Sequence, residues 1–116
     1  MRLESEIRDG VGILRLQGRF VTGSDGELVS ARNYLQELGI AKAVVDLSAV
    51  PYIDSTGLAF VVELHKSLAS RGGQLFLAHA NARIREVLEM TRIGEIIPLF
   101  DDVDEAEAAL RGEVLC

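Results

Sequence analysis

The segment Asp54-Ser55-Thr56-Gly57-Leu58 places a carboxylate and two hydroxyl groups immediately before an apolar helical pattern. A hydroxyl group can accept a phosphate or act as a nucleophile. A phosphate on Ser55 would add about −1.5 to −2 charges, which the positive end of a helix dipole can accommodate. The free energies of these charge interactions are small compared with a domain stability of about 5–15 kcal/mol, so the phosphate would leave the fold intact. A partner docked over the same helix start would meet the added charge directly, so the phosphate would alter its binding.

Two simpler chemical roles compete with phosphate acceptance at Ser55. Serine and aspartate are common N-cap residues, so Asp54 or Ser55 could only cap the following helix. A hydrolase would need a base, and His79 is expected at the same edge of the sheet, but the flanks of Ser55 differ from the Gly-x-Ser-x-Gly turn. His65 lies ten residues along the helix from Ser55, about 15 Å away at helical rise. The residue types alone leave capping and phosphate acceptance open.

Strands and helices alternate around this segment. Hydrophobic periodicity predicts strands at 3–8, 11–17, 43–47, 74–79 and 96–100, with a tight Asp9-Gly10 turn between the first two. It predicts a helix at 24–38, with Ser24 as its cap and Gly39 at its end, and a helix at 58–70. A third helix begins after a cap at Asn81, and a fourth is predicted at 102–111. The predicted fold is α/β, a single domain with a mixed, mostly parallel sheet of about five strands, about four helices and an N-terminal β-hairpin.

The Ser55 segment joins a buried strand to a helix in this arrangement. In open α/β sheets, functional sites gather at the carboxyl ends of the parallel strands. We therefore expect Asp54, Ser55 and Thr56 to lie at that edge and at a helix start, where free backbone N–H groups favour negative charge.

Composition disfavours several other functions. The chain has 116 residues and a formal net charge of −6, without the basic stripe that nucleic-acid binding requires. No apolar run approaches the roughly 18–20 residues of a membrane span, and the first residues lack the apolar core of a signal peptide. The lone cysteine, Cys116, favours a reducing, cytoplasmic setting. The two isolated histidines predict no metal site, and the lack of a phosphate-binding glycine loop predicts no nucleotide cofactor.

Several segments together resemble the STAS domain family, the domain of bacterial anti-sigma factor antagonists. The similarity covers nearly the whole chain and implies one STAS domain over residues 1–116. It is carried by Val44-Val45-Asp46-Leu47-Ser48, Tyr52-Ile53-Asp54-Ser55-Thr56-Gly57-Leu58, Gly72-Gly73, Arg83-Ile84-Arg85-Glu86-Val87-Leu88, and Phe100-Asp101-Asp102 with Ala106 and Ala109.

The resemblance implies a phosphorylation switch. Ser55 would be the acceptor, with Thr56 as the weaker alternative, and the kinase would be an ATP-dependent anti-sigma factor. The unphosphorylated form would bind that kinase and release the sigma factor, and a phosphatase would reset the switch. The protein would then be a substrate and binding partner, without catalytic residues of its own. Asp54, Gly57 and Leu58 would join Thr56 in the partner contact.

One loop departs from the family pattern. The family usually has an acidic residue that engages the kinase in a Gly-x-x-Asp element, where this chain has Gly18-Arg19-Phe20-Val21. Val21 therefore stands at a partner-binding position, and Asp25 could replace the acidic group through a shift of the loop. This departure supports an alternative function, a STAS scaffold or regulatory subunit of a signalling or lipid-transport assembly without the phosphorylation cycle.

Overall fold

Five strands form one sheet in the order in which they occur along the chain. The computed structural model describes residues 2–18 and 25–110. The strands are β1 (Arg2–Arg8), β2 (Val11–Gln17), β3 (Lys42–Ala49), β4 (Gln74–Ala78) and β5 (Leu99–Phe100). The helices are α1 (Asp25–Glu37), α2 (Ser55–Ala69), α3 (Ala82–Met90) and α4 (Val103–Leu110), with a short 3-10 turn at Ile93–Glu95. None of the helices in these described ranges is long and apolar enough to cross a membrane.

A β-hairpin forms one edge of the sheet, as predicted. β1 and β2 are antiparallel, and the two residues between them, Asp9 and Gly10, both have positive φ angles of 49° and 79°. These angles suit the type of two-residue turn that matches the twist of paired strands. The remaining neighbours, from β2 to β5, pair in parallel. The predicted mixed, mostly parallel sheet is therefore confirmed.

The central strand β3 is buried on both faces, which explains its nearly continuous apolar sequence. Val45 packs into the larger hydrophobic cluster, which contains residues of α1, α2 and α3, and Val44 packs into a smaller cluster beneath α4. Successive side chains of a strand point to opposite faces of the sheet, so the two clusters lie on opposite sides. Three helices therefore cover one face of the sheet, and α4 packs on the other.

The last strand is shorter than the predicted range of 96–100. Ile97 is fully buried, but its backbone N–H donates to the carbonyl of Ile93, the first residue of the preceding 3-10 turn, at 2.8 Å. Pro98 has no N–H to donate to a ladder, although its carbonyl accepts from Leu77 at 2.9 Å. Regular pairing with β4 therefore begins only at Leu99.

Local capping patterns define several helix ends. Asp102 accepts a hydrogen bond from the N–H of Glu105 at 2.7 Å and caps α4. Gly39 follows α1 with a positive φ of 72° and donates to the carbonyl of Gln36, as its predicted role at the helix end requires. The predicted capping serine of α1, Ser24, lies outside the described residues.

Candidate functional site

Asp54, and not Ser55, caps the helix that follows β3. The backbone of Asp54 is extended, its Oδ1 accepts from the N–H of Gly57 at 3.0 Å, and its carbonyl accepts from Leu58 at 3.0 Å. Ser55 is the first residue of α2, three positions earlier than the predicted start at Leu58. The structure thus assigns the cap to one residue of the pair and leaves the Ser55 side chain outside that role.

The loop before the cap is anchored in the core and presents the Ser55 segment to solvent. Val50 and Ile53 are buried in the larger hydrophobic cluster, with exposed fractions of 1% and 4%. Ser55 and Thr56 are exposed at the surface beyond them. The acceptor expected from the sequence is therefore accessible to a partner.

The predicted partner-contact residues differ in their exposure. Gly57 is buried, and Leu58 is half-buried against the larger cluster, so both contribute to packing. Thr56 also lines a shallow surface cavity of about 240 Å³, together with Ala59, Phe60 and Glu63 of α2. The residues that line this cavity follow Ser55 along the same helix. Val21 is outside the described residues, as is the side chain of Asp25, so their expected roles stay predictions.

The helix start also sets the electrostatics around Ser55. The first N–H groups of an α-helix lack partners within the helix and carry partial positive charge. Asp54 already satisfies the N–H of Gly57, and the first turn of α2 contains no acidic residue after the cap. Within the described loop and the first turn of α2, a phosphate on Ser55 would therefore meet one like charge, from Asp54, and the positive end of the helix dipole.

The sequence model of the STAS domain matches residues 2–106 of the chain. The chain belongs to the STAS domain family. BtrV of Bordetella bronchiseptica, named as a candidate anti-sigma factor antagonist, is 32% identical over 112 residues, which cover 96% of each chain. The crystal structure of a candidate anti-sigma factor antagonist from Thermotoga maritima superposes with a TM-score of 0.82, at 27% identity and 94% coverage of each chain. The phosphorylated form of SpoIIAA, a Bacillus cell fate determinant, shares the fold with a TM-score of 0.72, at 18% identity, and covers 96% of this chain and 99% of its own.

The two histidines of this STAS domain occupy different environments. His79 follows β4 with a positive φ of 61° and is exposed. His65 is half-buried on α2, and its Nδ1 has no hydrogen-bond partner among the described residues. Within the same described ranges, no three histidine, cysteine or carboxylate side chains group closely enough to hold a metal ion.

The side chain of Asn81 links the loop before Ser55 to α3 in this STAS domain. Asn81 caps α3 as predicted, since its Oδ1 accepts from the N–H of Ile84 at 2.9 Å. Its Nδ2 also donates to the carbonyls of Val50 and Pro51, at 3.3 and 3.4 Å. Sequence reasoning found the cap from the residue type but missed the link, because the two carbonyls are 31 and 30 residues away in the chain.

A network of charged side chains lies on the face of the sheet that α4 covers. Glu6 accepts hydrogen bonds from Arg8 and from Arg15, and these bonds, first that of Arg8, lower the pKa of the Glu6 carboxyl. Arg15 also approaches the buried carboxylate of Asp46 at 3.8 Å, and Arg8 approaches Glu107 of α4 at 3.5 Å. The network joins the first strand to the last helix and is separate from the Ser55 site.

Proposed function

We propose that this STAS domain is a cytoplasmic anti-sigma factor antagonist controlled by phosphorylation of Ser55. In its unphosphorylated form it binds an anti-sigma factor that is also a serine kinase, and the sigma factor is released. The observation that carries the proposal is the exposed Ser55 hydroxyl at the start of α2, next to a residue that makes the cap by itself. The names of the relatives BtrV and the Thermotoga protein support the same class of function.

The division of roles between Asp54 and Ser55 suits a switch. The cap bond runs from Gly57 to Asp54, so a phosphate on Ser55 removes no hydrogen bond of the cap. The phosphate adds about −1.5 to −2 charges at an exposed position, where a docked kinase would have to accommodate them. A penalty of about 2.7 kcal/mol is enough to weaken such a complex roughly a hundredfold. Phosphorylation would therefore change binding far more than folding.

The chemical step uses the chain as the phosphate acceptor. The Ser55 Oγ attacks the γ-phosphorus of ATP held by the kinase, the bond to the ADP oxygen breaks, and a base of the kinase takes the hydroxyl proton. The contribution of this chain is to present the hydroxyl on a fixed helix start. A phosphatase hydrolyses the serine phosphate and restores the binding form.

Phosphate mapping tests the proposal. The protein is incubated with MgATP and the anti-sigma kinases purified from the bacterium that encodes it, and the modified residue is located by mass spectrometry. We expect one phosphate on Ser55, no phosphate on the Ser55→Ala protein, and unchanged modification of a Ser70→Ala control, which removes an exposed serine at the other end of α2. If no kinase modifies Ser55 or Thr56, the switch is refuted, and the scaffold function without phosphorylation takes its place.

A further inference from the structure

The side chain of Asn81 contacts both the start of α3 and the loop that leads into α2. Its Oδ1 accepts from the N–H of Ile84 and caps α3, and this bond orients the amide so that Nδ2 faces the Ser55 loop. Nδ2 donates to the carbonyls of Val50 and Pro51, which lie four and three residues before the cap of α2. One amide group therefore couples the backbone before Ser55 to the first turn of α3.

The Asn81 contact adds to a loop that is also held by its buried apolar side chains and by a hydrogen bond from the N–H of Val50 to the carbonyl of Leu47 at 3.0 Å. Val50 and Ile53 are buried and anchor the apolar side of the loop in the core. The carbonyls of Val50 and Pro51 belong to its polar side, and Pro51 itself is exposed. Hydrogen bonds have directional requirements that apolar contacts lack, so Asn81 restricts the orientation of these peptide groups.

We propose that Asn81 is a positioning residue for Ser55. It holds the loop that delivers the hydroxyl to the kinase in one orientation. This inference rests on the proposed function, because the orientation matters only if Ser55 receives a phosphate. Phosphoryl transfer needs the attacking oxygen aligned with the bond that breaks, and a displacement of about 1 Å can cost as much as a hundredfold in rate.

A simple capping role would not require asparagine at this position. Serine, aspartate and asparagine cap helices about equally well, because each supplies a side-chain oxygen to a first-turn N–H. Aspartate has no N–H to donate, and the serine side chain is too short to bond both the cap and the loop. Asn81→Asp and Asn81→Ser therefore keep the cap of α3 and remove the link to Val50 and Pro51.

Hydrogen exchange tests the link without a kinase. In both variants we expect the hydrogen-bonded amides on either side of Ser55, those of Val50, Gly57 and Leu58, to exchange about tenfold faster than in the wild type, while the amides of α3 keep their protection. The effect should be larger in Asn81→Asp, where a carboxylate oxygen faces two carbonyl oxygens. Ala82→Asp is the matched control, since it adds the same charge at the exposed first residue of α3 and leaves the amide of Asn81 in place.

Steady-state kinetics test the positioning role, with MgATP and the kinase that modifies the wild type. We expect kcat for Ser55 phosphorylation to fall about ten- to hundredfold in Asn81→Asp, with KM unchanged because the exposed surface of α2 is intact. Ala82→Asp should keep the wild-type kcat.

The outcomes separate the positioning role from the proposed function. A wild type that no kinase modifies would overturn the proposed function, and hydrogen exchange would still decide whether the link exists. A modified wild type with wild-type kcat in both Asn81 variants would overturn the positioning role. Equal losses of kcat in Asn81→Asp and Ala82→Asp, or a loss of protection throughout α3, would also overturn it, because charge or a damaged helix would then be the cause.

Discussion

Asp54 and Ser55 are adjacent, but only Asp54 is needed to start α2, and the Ser55 side chain is exposed beside it. Binding to the anti-sigma kinase should therefore respond to charge at Ser55. Ser55→Asp should weaken binding about ten- to hundredfold, which corresponds to roughly 1.4–2.7 kcal/mol. The asparagine of Ser55→Asn has nearly the same shape as the aspartate of Ser55→Asp but carries no charge, so Ser55→Asn should bind the kinase like Ser55→Ala. Equilibrium titration of the purified proteins measures these affinities, and equal values for Asp and Asn would contradict a charge-based switch.

At the scale of elements, the connection from α2 to β4 depends on one glycine. A Cβ atom on Gly73 would lie 1.7 Å from the backbone oxygen of Ala41, which also accepts from Gln74 at 2.9 Å. Gly73→Ala should therefore force the backbone apart and lower the free energy of unfolding by about 1–3 kcal/mol. Gly94→Ala is the control, because no atom lies within 4 Å of its added Cβ, and it should change stability by less than about 0.5 kcal/mol. Urea unfolding compares the two, and equal stabilities would refute the close contact.

At the scale of the whole molecule, the network around Glu6 joins the first strand to α4 through Arg8. Hydrogen bonds from Arg8 and Arg15 lower the pKa of Glu6 from its usual 4.5, so the folded state favours its ionised form. This contribution to stability is complete above pH 4.5 and is lost as the pH falls through the lowered pKa of the folded state. Glu6→Gln should therefore flatten the acid side of the stability profile, whereas Glu4→Gln on the same strand should not. Urea unfolding between pH 2 and 7 measures the free energy of unfolding of each protein. If this free energy falls equally steeply with decreasing pH in the wild type and in Glu6→Gln, the prediction is contradicted.

Much of the fold follows from local signals in the sequence. The Asp9-Gly10 turn, the cap at Asn81 and the end of α1 at Gly39 each depend on residues within a few positions, and the structure confirms all three. The buried run of β3 and the order of strands and helices follow from hydrophobic periodicity, which records which faces of an element are buried. The segment around Ser55 is similarly local, which is why the sequence alone pointed to the STAS domain family.

The sequence by itself determined the elements, their order and the place of Ser55 where the chain passes from β3 to α2. Only the tertiary structure decided that Asp54 is the cap of α2, that β5 is reduced to two residues beside Pro98, and that Asn81 reaches the loop before Ser55. These features depend on contacts between segments distant in the chain or on competition between neighbouring residues of similar type. Periodicity and residue type do not encode either, because the contact of Asn81 requires β3 and β4 to lie side by side, and the choice of Asp54 depends on its extended backbone in the loop before α2.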